Sequence, residues 1–353
     1  MAGKILKHFL FFFVCLIIVA EIGCRIIIDP IYFKKMNLYS QVKEKDTIDY
    51  IFIGSSRTAG SIVPEVFAVN DHEISINAGR GYSTGQTHYR ALRYLIRRNP
   101  DVLKGCAVFL EAPSGMCYTE TGEEWIYEDN SQLLIPYLNR NDLHEFLREA
   151  KAPVMLKIDV ILLYYFASWR DCFFIREKLD TKIKYHLGKL DMIYGEKDPN
   201  KSVESDLKAL GGIKQDSVSV MAVRKFAYDV VLSDIKNQVL LSQQDLDNSM
   251  LARITSLVSN AGGKVYLFDP PLSTVINRIF ETDIAVRNKK TFDQWINKKG
   301  IPVIKAPFNF TDEDFPDLFH LKASRAEEYT DSLWIAYKAY LNHNQINVSL
   351  VNR

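Results

Sequence analysis

The sequence lacks an excess of charge of either sign. Its 353 residues include 44 lysines and arginines and 43 aspartates and glutamates, for a net charge of +1. Nucleic-acid-binding domains usually carry a strongly basic face, and the chain shows no RNA- or DNA-binding signature, so we expect no nucleic-acid partner. Apolar residues make up 47% of the chain, which is ample for a sizeable core and argues against a disordered protein.

Cysteines are few, and their spacing does not suit a metal site. The five cysteines include no Cys-x-x-Cys pair, which argues against a structural zinc site and against a thioredoxin-like motif. The histidines show no metal-ligand spacing either, so we expect no metal and no other cofactor. Cys106 and Cys117 flank a predicted strand and could pair outside the cytoplasm, but two small buried side chains are an equally good interpretation.

A long apolar run occurs at the N-terminus. It is unbroken over Phe9–Ala20, is interrupted by Glu21 and Arg25, and resumes as Ile26–Ile28. The combined segment of roughly 20 residues can cross a bilayer. A cleaved signal peptide is the rival interpretation, but no small-x-small cleavage site follows the run. We therefore predict a cytoplasmic tail over 1–8, a transmembrane signal anchor over 9–28 and a stalk over 29–45.

The orientation of this anchor depends on the basic residues beside it. Lys4 and Lys7 precede the run and favour a cytoplasmic N-terminus, with the following domain outside. Arg25, Lys34 and Lys35 lie on the far side and oppose that orientation. We predict a single-pass protein of an inner or plasma membrane with an extracytoplasmic domain; a domain facing the cytoplasm is the alternative.

Strand and helix patterns alternate through much of the rest of the chain. The predicted strands are 49–53, 73–76, 107–110, 264–268 and 302–304, and the predicted helices are 83–98, 245–260, 279–298 and 323–341. Such alternation predicts an α/β fold with a parallel sheet and helices on both faces. The range 116–242 breaks the alternation, and stretches such as Val160–Phe166 look helical. We interpret it as a helical insertion over the carboxyl edge of the sheet, within one domain spanning 46–345.

Three polar motifs follow predicted strands, at the edge where open α/β sheets bind ligands. They are Gly54-Ser55-Ser56-Arg57, Asn77-Ala78-Gly79-Arg80-Gly81 and Asp317-Leu318-Phe319-His320. A serine hydroxyl is a weak nucleophile that needs a base to take its proton. His320 would supply that base for Ser56, and Asp317 would orient the imidazole. Backbone N–H groups of Ser56 and Gly81 would face the developing oxyanion.

The order of these motifs resembles that of the SGNH (GDSL-like) hydrolases. The membrane-anchored branch acting on cell-surface polymers is most similar, since its members can also carry Gly-Ser-Ser in place of Gly-Asp-Ser. The resemblance covers about 49–113 and 245–341. It implies a three-layer flavodoxin-like fold, a Ser56–His320–Asp317 triad, and an oxyanion hole near Gly81 and Gly79. Asn77 is a further candidate oxyanion donor, and Arg57 is a candidate donor or substrate contact.

The third family motif is not matched. The family supplies an oxyanion donor from an Asn in a Gly-x-Asn-Asp motif, whereas this chain has Glu111-Ala112-Pro113-Ser114. Either another group donates, or the oxyanion hole is incomplete. Glu111 and Asp269 both lie at predicted strand ends, and we assign neither a role because structural acids are common there.

A second serine motif competes with the first. Gly81-Tyr82-Ser83-Thr84-Gly85 matches the Gly-x-Ser-x-Gly nucleophile elbow of α/β-hydrolases. That fold places several strands before its nucleophile, and we predict two here, so we interpret Ser83 as a helix cap.

The resemblance implies an enzyme of ester chemistry that uses a Ser-His-Asp mechanism. The expected activity is an ester hydrolase, O-acyltransferase or deacylase acting on a cell-surface glycan or a lipid-linked ester. A catalytically inactive SGNH-like domain that binds glycan or scaffolds polysaccharide export machinery is the alternative from another class.

Overall fold

The chain forms two compact units. The computed structural model describes residues 2–28, 39, 42–43, 46–70, 72–80, 85–112, 137–149, 154–168, 224–225, 228–229, 231–232 and 239–351. One unit comprises Met1–Gln41 with Ile126–Ser202, and the other comprises Val42–Trp125 with Val203–Arg353. Gly81, Ser83 and Cys117 lie outside the described residues, so the predictions made for them stay predictions.

The larger unit contains a five-stranded sheet in the order β2-β1-β3-β4-β5, and its four strand pairings are all parallel. The strands are β1 Tyr50–Ile53, β2 Ser75–Asn77, β3 Ala107–Glu111, β4 Lys264–Phe268 and β5 Val303–Ile304. The predicted α/β fold with a parallel sheet is confirmed. This strand order is one of the two common orders of doubly wound sheets, which bind ligands beyond the carboxyl ends of their strands.

Helices connect and cover these strands. In the larger unit they are α2 Ser56–Ser61, α3 Gly85–Arg98, α6 Gln243–Asp247, α7 Met250–Asn260, α8 Thr274–Ile279, α9 Asp283–Lys299 and α10 Ala323–Val351, with 3-10 turns at Pro64–Val66 and Asp312–Asp314. The single helix predicted over 245–260 is divided in two. Ser249 causes the division, because its side chain caps α7 by accepting the backbone N–H of Ala252. The helix predicted over 279–298 corresponds to α9, and α8 is a separate helix that ends where the prediction begins. Ser273 caps α8 in the same way, by accepting the N–H of Ile276.

Aromatic side chains fill one face of the sheet. Phe52, Phe109 and Tyr266 lie opposite one another in the strand register. Their ring centroids are 4.9 Å apart for the first pair and 5.4 Å apart for the second. Tyr337 of α10 packs edge-on against Phe109, with centroids 5.1 Å apart. This packing seats α10 across the sheet, close enough to hold the turn that follows β1.

A hydroxyl of α10 makes that link to the first turn. The Thr330 hydroxyl lies 3.1 Å from the carbonyl oxygen of Ser61, the last residue of α2, and accepts the N–H of Val63 at 3.0 Å. Thr330 and Ser61 are both buried. Thr330 therefore fixes the carboxyl end of α2, the helix that follows β1.

The smaller unit begins with an apolar helix. The helix α1 spans Ala2–Gly23 and continues as a π-helical segment, Cys24–Ile28. The helix starts seven residues before Phe9, where the predicted anchor begins. It changes from α-helical to π-helical over the last five residues of that anchor. Leu6–Ile28 is long and apolar enough to cross a membrane, by length and composition alone, and none of it is buried; a signal sequence passes the same test.

Among its described residues, this unit contains two further helices: α4, Arg140–Glu149, and α5, Val154–Tyr165. The stretch expected to be helical, Val160–Phe166, lies largely in α5. Where the insertion sits relative to the sheet stays a prediction. Within the predicted stalk, Tyr39 and Val42 are buried, which a mostly polar, exposed linker does not lead one to expect.

Candidate active site

Ser56 stands at the start of a short helix directly after β1. Ser55 is the N-cap of α2, and its hydroxyl accepts the N–H of Arg57 at 3.1 Å. Gly54 has to be glycine, because a Cβ there would overlap the Thr58 hydroxyl and the Glu111 carboxylate. Such a turn leaves Ser56 half-buried rather than covered, so a substrate can reach its hydroxyl.

Asp317 and His320 share a tight turn after the short 3-10 segment Asp312–Asp314. One carboxylate oxygen of Asp317 accepts the backbone N–H groups of Phe319 at 3.0 Å and of His320 at 2.7 Å. Between them Leu318 adopts a positive φ of 67°, a left-handed conformation that is strained for a side chain of this size. Its side chain is buried beside Ile276, and this packing stabilises the strained turn.

Arg224 also stabilises this loop, through hydrogen bonds to its backbone. Its guanidinium donates to the carbonyl oxygens of Asp312 and Pro316, each at 3.3 Å. Arginine suits this position because its fixed fork of donors can bridge neighbouring carbonyls. The residue directly before Asp317 is therefore held by a side chain far away in sequence.

The structure brings the three predicted triad residues together. His320 Nε2 lies 2.7 Å from Ser56 Oγ, and His320 Nδ1 lies 2.6 Å from Asp317 Oδ2. These residues are separated by as many as 264 positions in sequence, yet all follow strands at one edge of the sheet. The distances are those of hydrogen bonds, so the expected approach of Ser56 to His320 is seen.

The charge of Asp317 decides which atoms carry the protons in the hydrogen bonds between Ser56, His320 and Asp317. Burial raises the pKa of its carboxyl, but the hydrogen bonds and positive charge of His320 and the two backbone N–H groups outweigh burial, so the pKa lies below the usual 3.8. An ionised carboxylate can only accept, so Nδ1 of His320 carries the hydrogen. In the neutral ring Nε2 is then the acceptor, and the Ser56 hydroxyl donates to it.

Glu111 holds the turn between β1 and α2 through hydrogen bonds, a role that the sequence did not suggest. It ends β3 and is fully buried. Its carboxylate accepts the N–H of Ser55 at 2.8 Å, the hydroxyl of Ser55 at 2.9 Å and the hydroxyl of Thr58. A lone acid closing an otherwise apolar strand was the available signal, because a buried carboxylate requires partners.

Arg57 is the counter-charge of Glu111. Its Nη1 lies 3.6 Å from Glu111, and its Nη2 donates to Asp269 at 3.1 Å and to the carbonyl oxygen of Pro270. The side chain is 2% exposed. Arg57 was expected to contact substrate or an oxyanion; that expectation is not met, because the guanidinium is directed inward and engaged by these acceptors.

Two of the predicted oxyanion donors are also engaged elsewhere. The side-chain amide of Asn77 donates to the carbonyl oxygens of Thr58 at 3.1 Å and Ile62 at 2.8 Å. The N–H of Gly79 donates to the Asn77 side chain at 2.9 Å. These groups hold α2 against β2 and are not directed at a substrate. The N–H of Ser56 remains a candidate donor, because the first N–H groups of a helix lack partners within it.

Among the described residues, no three His, Cys, Asp or Glu side chains gather where a metal ion could be held. Comparison with models of known protein families found no match, and comparison with curated proteins found none. The side chains themselves define the available chemistry: a hydroxyl, a base within hydrogen-bond reach of it, and an anion that orients the base. That set suits nucleophilic attack by Ser56 on an electrophilic carbonyl.

Proposed function

We propose that this chain is a membrane-anchored serine esterase or O-acyltransferase of the SGNH type. The observation that carries the proposal is the hydrogen-bonded chain Ser56–His320–Asp317, with distances of 2.7 and 2.6 Å. Strand order, placement of all three residues beyond strand carboxyl ends, and the family-like order of motifs support it. The resemblance further suggests a three-layer, flavodoxin-like arrangement.

The reaction would proceed in two acyl transfers. Ser56 Oγ attacks the ester carbonyl carbon while its proton passes to His320 Nε2, and the imidazolium formed is stabilised by Asp317. The tetrahedral intermediate collapses, the bond to the leaving alcohol breaks, and His320 returns the proton to that alcohol. Water or a sugar hydroxyl then attacks the acyl-serine and gives its proton to His320. The bond between the acyl carbon and Ser56 Oγ breaks, the acyl group leaves on the attacking oxygen, and His320 returns the proton to Ser56 Oγ.

Anchoring points to the class of substrate. The helix α1 is long and apolar enough to span a bilayer, and the basic residues before it favour a cytoplasmic N-terminus. An enzyme held at a membrane meets polymers and lipid-linked esters there more often than free solutes. We propose O-acyl transfer to, or deacylation of, a cell-surface glycan on the outer side of an inner or plasma membrane.

Labelling with a fluorophosphonate probe tests the proposal, because such probes react with activated serines. The full-length chain should be labelled and should turn over a model acetyl ester. Ser56→Ala should lose both labelling and turnover while keeping its fold, as judged by an unchanged melting temperature. Ser83→Ala is the matched control and should keep both. If Ser83→Ala loses activity and Ser56→Ala keeps it, the elbow motif supplies the nucleophile instead.

A second candidate is a non-catalytic SGNH-like domain that binds glycan. The oxyanion side of the site favours this candidate. The segment Glu111-Ala112-Pro113-Ser114 contains no Asn to match the family motif, and the donors of Asn77 and Gly79 are engaged elsewhere. An unlabelled parent protein, with no turnover of any acyl ester tried, would make this candidate the better one. Glycan binding that is unchanged in Ser56→Ala would support it directly.

A further inference from the structure

The helix α5 is apolar on two faces, and only one of them is covered. Val160, Leu163 and Ala167, which follow one another at helical spacing, are buried. A second stripe is exposed and consists of large apolar side chains: Val154 72%, Met155 70%, Ile158 40%, Tyr165 44% and Phe166 47%. Exposed patches of large apolar side chains mark contact sites for a membrane or another protein, and α5 is not enclosed in a core.

Hydrogen bonds join the end of α5 to the apolar helix α1. The Glu21 carboxylate accepts the backbone N–H groups of Ala167 and Ser168, each at 2.9 Å. Arg25 donates to the carbonyl oxygen of Tyr165 and pairs with Glu21 at 2.8 Å. The two charges that interrupt the N-terminal apolar run thus satisfy polar groups at the carboxyl end of α5.

This junction sets the depth of α5 relative to a bilayer. Leu6–Ile28 comprises 23 residues, or about 34 Å at helical rise, close to the roughly 30 Å of a hydrocarbon core. Glu21 precedes Ile28 by seven residues, or about 10 Å along the axis. The end of α5 bonded to Glu21 therefore lies within or just at the edge of the membrane when α1 spans it.

We propose that α5 and Phe166 form a second membrane contact, with the exposed stripe inserted at the boundary between headgroups and acyl chains. The occupant of this surface is lipid, because the stripe continues from an element that is itself exposed and apolar along its length. Tyrosines at the carboxyl end, Tyr164 and Tyr165, suit that boundary. The inference rests on the proposed anchoring by α1 but not on the proposed chemistry, and it would hold the smaller unit against the membrane at two places.

Photocrosslinking of the full-length chain tests this contact. The probe p-benzoylphenylalanine replaces one residue at a time in protein reconstituted into vesicles of phosphatidylethanolamine and phosphatidylglycerol. Phe166 reports on the stripe, and Phe12, 72% exposed on α1, reports on anchoring. Ile335, 65% exposed on α10, is the matched apolar control. Lipid adducts are identified by mass spectrometry after irradiation.

The expected result is a lipid adduct at Phe12 and Phe166, at a yield roughly tenfold or more above that at Ile335, since an interfacial side chain contacts lipid continuously. An adduct at Phe12 with none at Phe166 would overturn the second contact and leave anchoring intact. No adduct at Phe12 would overturn anchoring, and the second contact with it. A crosslink from Phe166 to a second copy of the chain would assign the stripe to self-association and overturn the lipid proposal.

Discussion

Replacing Glu111 by glutamine changes one buried carboxylate into an amide of nearly the same shape. In the wild type, one carboxylate oxygen accepts the N–H of Ser55 and the hydroxyl of Thr58, and the other lies 3.6 Å from Arg57 Nη1. The amide nitrogen must occupy one of these two positions. In either orientation a donor then faces a donor: the Ser55 N–H in one case, the Arg57 guanidinium in the other.

The size of the effect follows from burial. Removing one partner of a buried ion pair typically costs 3–5 kcal/mol, but Arg57 keeps Asp269 and the carbonyl oxygen of Pro270 as acceptors. A single charge-assisted hydrogen bond contributes about 1.5–3 kcal/mol. We therefore expect Glu111→Gln to lower the free energy of unfolding by about 3 kcal/mol. The melting temperature should fall by on the order of 6 °C.

Thermal unfolding of the detergent-solubilised chain measures this loss, and Asp269→Asn is the matched control. Asp269 contacts the same guanidinium at 3.1 Å, but its side chain is 56% exposed. Asp269 is the more solvated of the two acids that contact Arg57, so the control should lower the melting temperature by less than Glu111→Gln does. In the folded fraction of Glu111→Gln, kcat should fall roughly tenfold to 100-fold, because the turn bearing Ser56 is no longer fixed.

Two results would refute this reasoning. Equal losses of stability in Glu111→Gln and Asp269→Asn would mean that burial does not set the energy of these pairs. Full stability and full kcat in Glu111→Gln would mean that the bonds to Ser55 and Thr58 do not hold the turn. A loss of stability with unchanged kcat per folded molecule would give Glu111 a structural role only.

Three further outcomes are expected. Asp317→Asn should lower kcat by roughly 10²- to 10⁴-fold with little change in KM, because the imidazole loses its orienting anion; an unchanged kcat would remove Asp317 from the triad. Folding lowers the pKa of Asp317, so the stabilisation by its carboxylate is present at neutral pH and is lost as the pH falls below 3.8. The free energies of unfolding of the wild type and Asp317→Asn, measured against pH, should therefore differ above that range and converge below it. Parallel curves would contradict the assignment. Carbonate washing of membranes should leave the chain in the pellet, and release into the supernatant would contradict a spanning α1.

The strands could be predicted closely because most of them are short apolar runs between turn residues. The predicted β4 matches the observed Lys264–Phe268, and the other strands differ by two residues or fewer at each end. Helix ends were harder. Ser249 lies within the helical pattern predicted over 245–260, and a serine there can be interpreted equally well as an exposed position or as a cap. Only packing of the flanking segments decides between the two.

In the candidate site, the sequence allowed us to predict which residues lie close together, but not the directions in which their side chains point. Ser56, Asp317 and His320 follow strands whose carboxyl ends share one edge, so parallel pairing alone brings them near each other. The direction of a side chain depends on partners that are remote in sequence. Arg57 looked accessible as a residue beside the nucleophile, yet Asp269, 212 positions later, draws it inward. Asn77 likewise looked like an oxyanion donor, but the carbonyl oxygens of α2 take its amide hydrogens.

The buried carboxylate of Glu111, bonded to Ser55, has an electrostatic consequence for the proposed catalysis. A carboxylate only accepts hydrogen bonds, so it cannot donate to an oxyanion, and an uncompensated negative charge nearby would oppose the negative charge of the transition state. Arg57 offsets that charge: the pair lies 3.6 Å apart, with side chains 2% and 1% exposed. If the chain is catalytic, Arg57 therefore acts from within the protein, keeping Glu111 from raising the barrier. Arg57→Gln should then lower kcat more than Glu111→Gln does, because it leaves the buried carboxylate unpaired beside Ser56.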